Sequence, residues 1–261
     1  MLLRGICLTQ QSREKPDYGN WVSKKIIYLP AILGLILLPL ALLYLPLIVP
    51  SLIFFGFTAY FLYARHLLSA NGANVQGQIW DNVISNLDWD GQGRAIDIGC
   101  GNGALTNRLA SKFPQAKVTG IDYWETQWDY SKAICEANAK IEGVDGRVEF
   151  QRASASNLPF EDGYFDAAVS NFCFHEVADT KDKREVLREA LRVVKKGGKF
   201  AFQDEFLFKQ LYGSPQELLT NMQSWGISKV EFIETCNAPF IPLALKLPFM
   251  LGRSAIVKGE K

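Results

Sequence analysis

Residues 95–104 read Ala95-Ile96-Asp97-Ile98-Gly99-Cys100-Gly101-Asn102-Gly103-Ala104, a short apolar strand with one carboxylate that runs into three alternating glycines. A helical pattern follows from Ala104. Glycine lacks a Cβ and accepts positive φ, so Gly99, Gly101 and Gly103 let the chain turn sharply from a strand into a helix N-terminus. They also let a ligand lie against the backbone itself. A nucleotide-type cofactor site is the expectation, and an ordinary βα loop is the alternative. What stands downstream decides between them.

Outward from this stretch, the 261-residue chain has room for one globular domain and an additional element. A formal charge of +1 without a basic block gives no electrostatic basis for binding nucleic acid. Five scattered cysteines, no Cys-x-x-Cys and only two histidines, His66 and His175, predict reduced thiols and no metal site.

The additional element is Ile26 to Ala64, 39 consecutive residues without a charged side chain. One helix of that length would measure about 58 Å, roughly twice the ~30 Å hydrocarbon layer of a bilayer. Pro46 and Pro50 near its middle favour two helices and a tight turn. A transmembrane helical hairpin over residues 26–67 is therefore expected, with a hairpin dipping into one leaflet as the alternative. Arg13, Lys15, Lys24 and Lys25 precede it, and Arg65 with His66 follows, so both flanks are expected on the cytoplasmic side. That makes residues 1–25 a cytoplasmic N-terminal segment. Membrane localisation, with the domain of residues 71–261 facing the cytoplasm, follows as the expectation; the long charged leader argues against a cleaved signal peptide.

From Asn71 onward short apolar strands alternate with helical stretches, the pattern of an α/β fold with a mainly parallel sheet. Strands are expected at 95–99, 117–122, 148–153, 165–171, 199–204, 229–234 and 255–259. Helices are expected at 75–87, 104–112, about 126–141, 181–194 and 215–225. The run Lys195-Lys196-Gly197-Gly198 reads as the end of a helix, basic residues and then glycine.

Asp122 closes the second predicted strand 19 residues after Gly103, where a carboxylate accepts hydrogen bonds from both hydroxyls of a ribose. Gly99-x-Gly101-x-x-Ala104 also fits a loose dinucleotide fingerprint. Asp97 opposes that reading, because a negative charge two residues before the first glycine repels a diphosphate and favours a cofactor carrying positive charge. A nicotinamide-dependent dehydrogenase is further disfavoured by the lack of a Tyr-x-x-x-Lys.

With these motifs the sequence resembles the class I S-adenosylmethionine-dependent methyltransferases from about Val75 to Lys261. Asp97 to Gly103 is similar to the first family motif, and Gly120-Ile121-Asp122 to the acidic end of the second strand. Leu158-Pro159-Phe160 with Phe165-Asp166 resembles the segment around the fourth strand, and Leu187 to Gly198 the helix and turn before the fifth. The resemblance implies a Rossmann-like fold: a seven-stranded mainly parallel sheet with helices on both faces. It implies S-adenosyl-L-methionine as cofactor, with Asp97, Gly99, Cys100, Gly101 and Gly103 along its methionine part, Asp122 at the ribose and Tyr123 at the adenine. Where relatives often have Gly-Asp-Ala, this chain has Ala153-Ser154-Ala155, so the adenine amino group would fall to the Ser154 hydroxyl or the Ala155 backbone. Asn171 and Phe172 should line the reactive side.

A sulfonium is already an activated methyl donor, so catalysis asks chiefly for positioning and exclusion of water. His175 and Glu176 after the fourth strand, and Asp204 and Glu205 after the fifth, lie at the sheet edge where open α/β sheets bind ligands. His175, Glu176 or Asp204 is expected to serve as base or to position the acceptor; a structural role for His175 and Glu176 in their loop is the alternative. Residues 238–251 are unusually apolar for a strand connection. They are expected to rest on a bilayer, to roof a pocket, or to dock on the protein's own hairpin. Together these features predict a membrane-anchored methyltransferase acting on a small, lipophilic acceptor. A non-catalytic membrane scaffold that keeps the fold is the rival.

Overall fold

The computed structural model describes residues 15–124 and 130–261. Arg13 and the expected helix start near 126, both invoked above, lie outside those residues, as do Cys7 and Trp128. The charge-free stretch forms two packed helices, α1 (Lys24–Leu40) and α2 (Ile48–Leu68), with Ser23 capping the first through its side chain. Gly34 lets them approach closely, since a Cβ there would meet the Phe55 ring at 3.1 Å, and the Ser51 hydroxyl donates to the Gly34 carbonyl at 2.8 Å. Among the described residues one helical stretch, Leu45–Leu68, is long and apolar enough to cross a membrane by length and composition. At 17 residues, α1 is shorter.

The remainder builds a seven-stranded sheet in the order β3-β2-β1-β4-β5-β7-β6. Its strands are β1 (Gly93–Ile98), β2 (Ala116–Asp122), β3 (Val148–Arg152), β4 (Phe165–Asn171), β5 (Val194–Asp204), β6 (Lys229–Glu234) and β7 (Ala255–Glu260). All neighbours pair in parallel except β7, antiparallel to both β5 and β6. Helices α3 (Val75–Ser85), α4 (Ala104–Lys112), α5 (Lys132–Glu142), α6 (Lys183–Arg192), the single turn α7 (Lys209–Tyr212) and α8 (Pro215–Ser224) complete the α/β fold. The order reverses between β1 and β4, so the loops after these two strands part and leave a crevice at the C-terminal sheet edge.

Two boundaries differ from the sequence reading. Lys195 to Gly198 is not the end of α6 but the start of β5. Val193 and Val194 are fully buried, Phe165 pairs with Val194, and the register slips between Phe165 and Ala167 to accommodate the glycines. The exposed carbonyls of α6 are met by another cation: the Lys261 ammonium donates to Leu191 O at 2.9 Å and Arg192 O at 3.0 Å. The helix expected from about 126 begins as α5 at Lys132, with the Ser131 side chain as its cap. Trp124, before it, has a φ of +47°, and its indole N–H donates to Gly101 O at 2.9 Å.

Residues 15–22 do not stand apart from the α/β unit. The Asp17 amide donates to Asn138 Oδ1 at 2.9 Å, and Asn138 returns a bond to Asp17 O at 2.8 Å. Trp21 packs edge-on against Trp80 and Phe172. The Arg65 guanidinium donates to the Val22 carbonyl, and Asn20 donates to Arg65 O at 3.0 Å. A strap thus runs over the crevice and ties it to the hairpin base. There Ile27, Ala64, Leu67 and Leu68 share a core with Ile241, Leu245 and Leu251.

Candidate functional site

The three glycines adopt φ of +77°, +56° and +82° at Gly99, Gly101 and Gly103. Gly99 is the most constrained, because a Cβ would fall 2.3 Å from Cys173 Cβ. Beside this loop opens a cleft of about 880 Å³. Asp97, Gly99, Cys100, Gly101, Asp122 and Tyr123 line it on one side, and Ser154, Ala155, Asn171, Phe172, His175 and Glu176 line it further along. Two expected residues do not reach it. Gly103 turns its back on the cleft as the cap of α4, held by Phe150 3.1 Å from where a Cβ would stand. Asp204 is wholly buried behind His175.

Asp97 is fully buried, and the Thr106 hydroxyl donates to its Oδ2 at 2.6 Å. Its Oδ1 has no hydrogen-bond partner, and neither has Asn171 Oδ1 in the same cleft. Burial pushes the Asp97 carboxyl up to about 7, with the Asp122 charge adding to the rise. Two orphaned acceptors facing one space call for a ligand with donors and positive charge. The ammonium and sulfonium of S-adenosylmethionine supply both, so the residues present fit that cofactor. At the end of β2, Asp122, expected at the ribose, accepts from two backbone amides, Gly101 N to Oδ2 at 2.9 Å and Trp124 N to Oδ1 at 2.8 Å. Tyr123, expected at the adenine, stands half exposed with the Arg152 guanidinium 4.8 Å from its ring centre.

The Ser154 hydroxyl is engaged with Asp179 Oδ2 at 3.0 Å and the Ser156 hydroxyl at 2.7 Å. Asp179 itself lines the cleft, and its carboxylate is held below its ordinary range by the Ser156 and Ser154 hydroxyls. It is the better acceptor for an amino group than the serine that the sequence suggested. Among the described residues no cluster of His, Cys, Asp and Glu could hold a metal ion.

On the acceptor side, His175 Nδ1 lies 2.7 Å from Asp204 Oδ1 and Nε2 lies 3.3 Å from Glu176 Oε1. Burial alone would lower the imidazole, but the two carboxylates outweigh it and raise His175 to about 11. The raised value favours the imidazolium, whose two N–H groups face Asp204 and Glu176. Asp204 positions it, and the same carboxylate receives the Phe174 amide at 2.8 Å and the Glu205 amide at 2.7 Å. Glu205 faces the cleft half buried, and burial raises its carboxyl above the usual range. That leaves Glu205 as the group suited to accept a proton. Phe172, at φ +52°, holds a left-handed conformation rare for an aromatic residue and sets its ring between His175 and Trp21.

Sequence reasoning missed the strap. Tyr18, Trp21 and Val22 line the cleft alongside Ile26, Phe61 and Leu68 of the hairpin. The segment 238–251 does two of the things expected of it. Ile241 and Leu245 dock on the hairpin base, and Phe249, Met250 and Leu251 roof the far arm of the cleft.

Residues 96–202 match the protein family described as "Methyltransferase domain". The chain is similar to 27-O-demethylrifamycin SV methyltransferase of Amycolatopsis mediterranei, 33% identical over 139 residues, 53% of this chain and 48% of that protein. It is also similar to the ubiquinone/menaquinone biosynthesis C-methyltransferase UbiE of a Geobacter species, 30% identical over 137 residues, 50% of this chain and 55% of that protein. The chain thus spans about half the length of these curated relatives. In fold it resembles geranyl diphosphate C-methyltransferase of Streptomyces coelicolor, with a TM-score of 0.55 at 14% identity over 72% of this chain and 79% of that one. The [4+2]-cyclase SpnF shares the fold as well, with a TM-score of 0.52 at 22% identity over 71% of this chain and 80% of that one. The same scaffold therefore carries other chemistry, and the residues of the cleft must carry the argument for methyl transfer.

The cleft makes one prediction at Asp97. A bound cation favours the charged carboxylate, so binding of S-adenosylmethionine should strip the proton that burial retains. Affinity should rise with pH between about 6 and 8, with net proton release near neutrality. Titration calorimetry in buffers of different ionisation enthalpy reads the release directly. Asp97→Asn should bind more weakly and lose the buffer dependence; a wild-type heat independent of buffer would contradict the pairing.

Proposed function

We propose that this protein is an S-adenosylmethionine-dependent methyltransferase, held at a membrane by the hairpin of residues 26–67, that methylates a small lipophilic acceptor. One observation carries the reading. A single cleft continues from Asp97 and Asp122 at the cofactor end to an apolar arm walled by Trp21, Ile26, Phe61, Phe249 and Met250 at the hairpin base. An acceptor in that arm meets aromatic and aliphatic surface, with the charged groups confined to its inner end. The name of one relative points the same way, a C-methyltransferase of ubiquinone and menaquinone biosynthesis.

The cofactor supplies an activated methyl group when bound. The protein's own part is to hold the acceptor in line, to keep water out with the strap and the 249–251 roof, and to manage protons. The His175 imidazolium donates to an acceptor oxygen, and Glu205 takes a proton from the atom being methylated. Lys24, Lys25 and Arg65 at the hairpin base favour the cytoplasmic side for the α/β unit of residues 71–261.

The test is transfer of label from methyl-labelled S-adenosylmethionine by the full chain, purified in detergent and mixed with a total lipid extract, then with a delipidated protein fraction. Label is expected in the organic phase and absent with Asp122→Ala. Label confined to protein would overturn the lipophilic acceptor. Cofactor binding without transfer to either fraction would favour a scaffold.

A further inference from the structure

A hairpin that crosses a bilayer must present its turn to water on the far side, and this one does not have such a turn. Residues 41–47, Ala41-Leu42-Leu43-Tyr44-Leu45-Pro46-Leu47, contain no charged side chain. Leu42 is 89% exposed and Leu43 87% exposed. The backbone closes on itself instead: Leu42 N donates to Pro39 O, Leu43 N and Tyr44 N to Leu40 O, and Leu47 N to Tyr44 O. Internal pairing of amides is what hydrocarbon demands and water does not. The side-chain hydroxyls of α2 behave alike, with Ser51 bonded to Gly34 O and Thr58 to Phe54 O.

The free length of the hairpin agrees. Tyr60 donates to Ala244 O at 2.9 Å and its ring meets Phe249 at 6.0 Å between centres. From there to its end α2 is packed on the α/β unit. From Leu45, where the short helical turn before α2 begins, to Tyr60 it protrudes by about 23 Å at 1.5 Å per residue. The hydrocarbon layer is ~30 Å thick, so that length reaches past one leaflet but falls short of a full crossing.

Beside Tyr60 lies a second apolar surface. Residues 238–251 bury Ile241 and Leu245 beneath them and turn Leu243, 84% exposed, Phe249, 61% exposed, and Leu247 outward. Several of its amides bond within the segment, Leu245 N to Pro242 O, Lys246 N to Leu243 O and Met250 N to Leu247 O. Lys246 is its single charged residue. With Lys24, Lys25 and Arg65 at the same end of the hairpin, it contributes to a cationic collar below the apolar surface, suited to anionic headgroups.

We propose that α1, α2 and the 243–249 segment together form a wedge in a single phospholipid leaflet, so that the arm of the cleft opens at the membrane surface. The hairpin tip ends in hydrocarbon; Leu243, Leu247 and Phe249 sit at the boundary of acyl chains and headgroups. This rests on the reading that the hairpin is a membrane element. It replaces the crossing expected from apolar length alone. A membrane-resident acceptor would then reach the methyl donor without leaving the lipid.

The experiment uses the full chain in vesicles of phosphatidylcholine and phosphatidylglycerol. Leu43→Cys is treated with a membrane-impermeant maleimide, outside and then trapped inside, with wild type giving the background. Leu43→Trp, Leu243→Trp and, as a control on the exposed face of α5, Lys140→Trp are read against lipids brominated at different depths. The expected result is no excess labelling from either side. The added emission at Leu43 should be lost with deep bromines, that at Leu243 with shallow ones, and that at Lys140 with neither. Labelling of Leu43→Cys from the side opposite the catalytic unit would show a crossing and overturn the wedge while keeping the anchor. Quenching at Leu43 without quenching at Leu243 would assign the 243–249 surface to a second copy or another protein and overturn the proposal. A chain that stays off the vesicles would overturn both the wedge and the membrane reading.

Discussion

Asp122→Ala is expected to weaken S-adenosylmethionine binding about 10- to 100-fold, a loss of ~1.5–3 kcal/mol. The side chain does two things at once. It presents a carboxylate at the end of β2, at the sheet edge where we place the ribose. It also ties down the loop, accepting from Gly101 N at 2.9 Å and from Trp124 N at 2.8 Å. Trp124 in turn donates its indole N–H to Gly101 O at 2.9 Å, so the glycine turn and the post-β2 turn are held together by this carboxylate and by the indole beside it. Alanine removes the anion and leaves two amides to water. Asp122→Asn keeps an acceptor of the same shape without the charge and should fall between wild type and alanine. Calorimetric titration of the three proteins decides the matter: an affinity unchanged in Asp122→Ala would remove Asp122 from the ribose site, and equal losses in both variants would mean that charge, not loop anchoring, carries the effect.

The cofactor end of the cleft was legible because its chemistry is local. A backbone that must take φ of +77° at Gly99, against Cys173, has no alternative to glycine, and the glycine therefore stands in the sequence as a mark of the turn. Asp122 was legible for the same reason, as the last residue of a strand whose neighbour in the sheet is the glycine loop's own strand. The strap was not. Asp17 and Tyr18 find their partners at Asn138, Glu142 and Asn107, roughly 90 to 120 residues away, and nothing in the spacing of residues 15–22 announces a surface. The roles of Asp204 and Glu205 were ambiguous because a pleat sends successive side chains to opposite sides. Which side faces the cleft depended on where the turn Phe174–Glu176 settles, a tertiary matter. For the hairpin, apolar length measured how much chain a bilayer can hold but not where the α/β unit begins to cover it; Tyr60 against Ala244 supplies that depth.

Asp204→Ala is expected to be the most damaging single change in the acceptor half of the site, destabilising the protein by about 3–5 kcal/mol. The carboxylate is completely buried and serves three donors: His175 Nδ1 at 2.7 Å, the Phe174 amide at 2.8 Å and the Glu205 amide at 2.7 Å. Its removal strands two backbone donors and withdraws the chief partner of a largely buried imidazolium, which then sheds its proton. The sign of the pH dependence follows from the raised pKa. His175 titrates near 6.5 in an unfolded chain and at about 11 in the folded one, so its contribution is complete below pH ~6.5 and declines as pH climbs toward 11. Thermal unfolding of the wild-type chain in detergent should therefore move to lower temperature across that window. Asp204→Asn, which keeps the volume and an acceptor oxygen, should lose most of the slope. The imidazole C–H resonances give an independent reading, with His66 as the second histidine: in wild type one signal should remain that of an imidazolium well above neutrality, and in Asp204→Asn that signal should titrate several pH units lower. If the His175 resonance titrated near neutrality in wild type, the imidazolium would be lost from the site. The proton donor facing the acceptor would then have to be sought at Glu205 itself, whose carboxyl burial already raises.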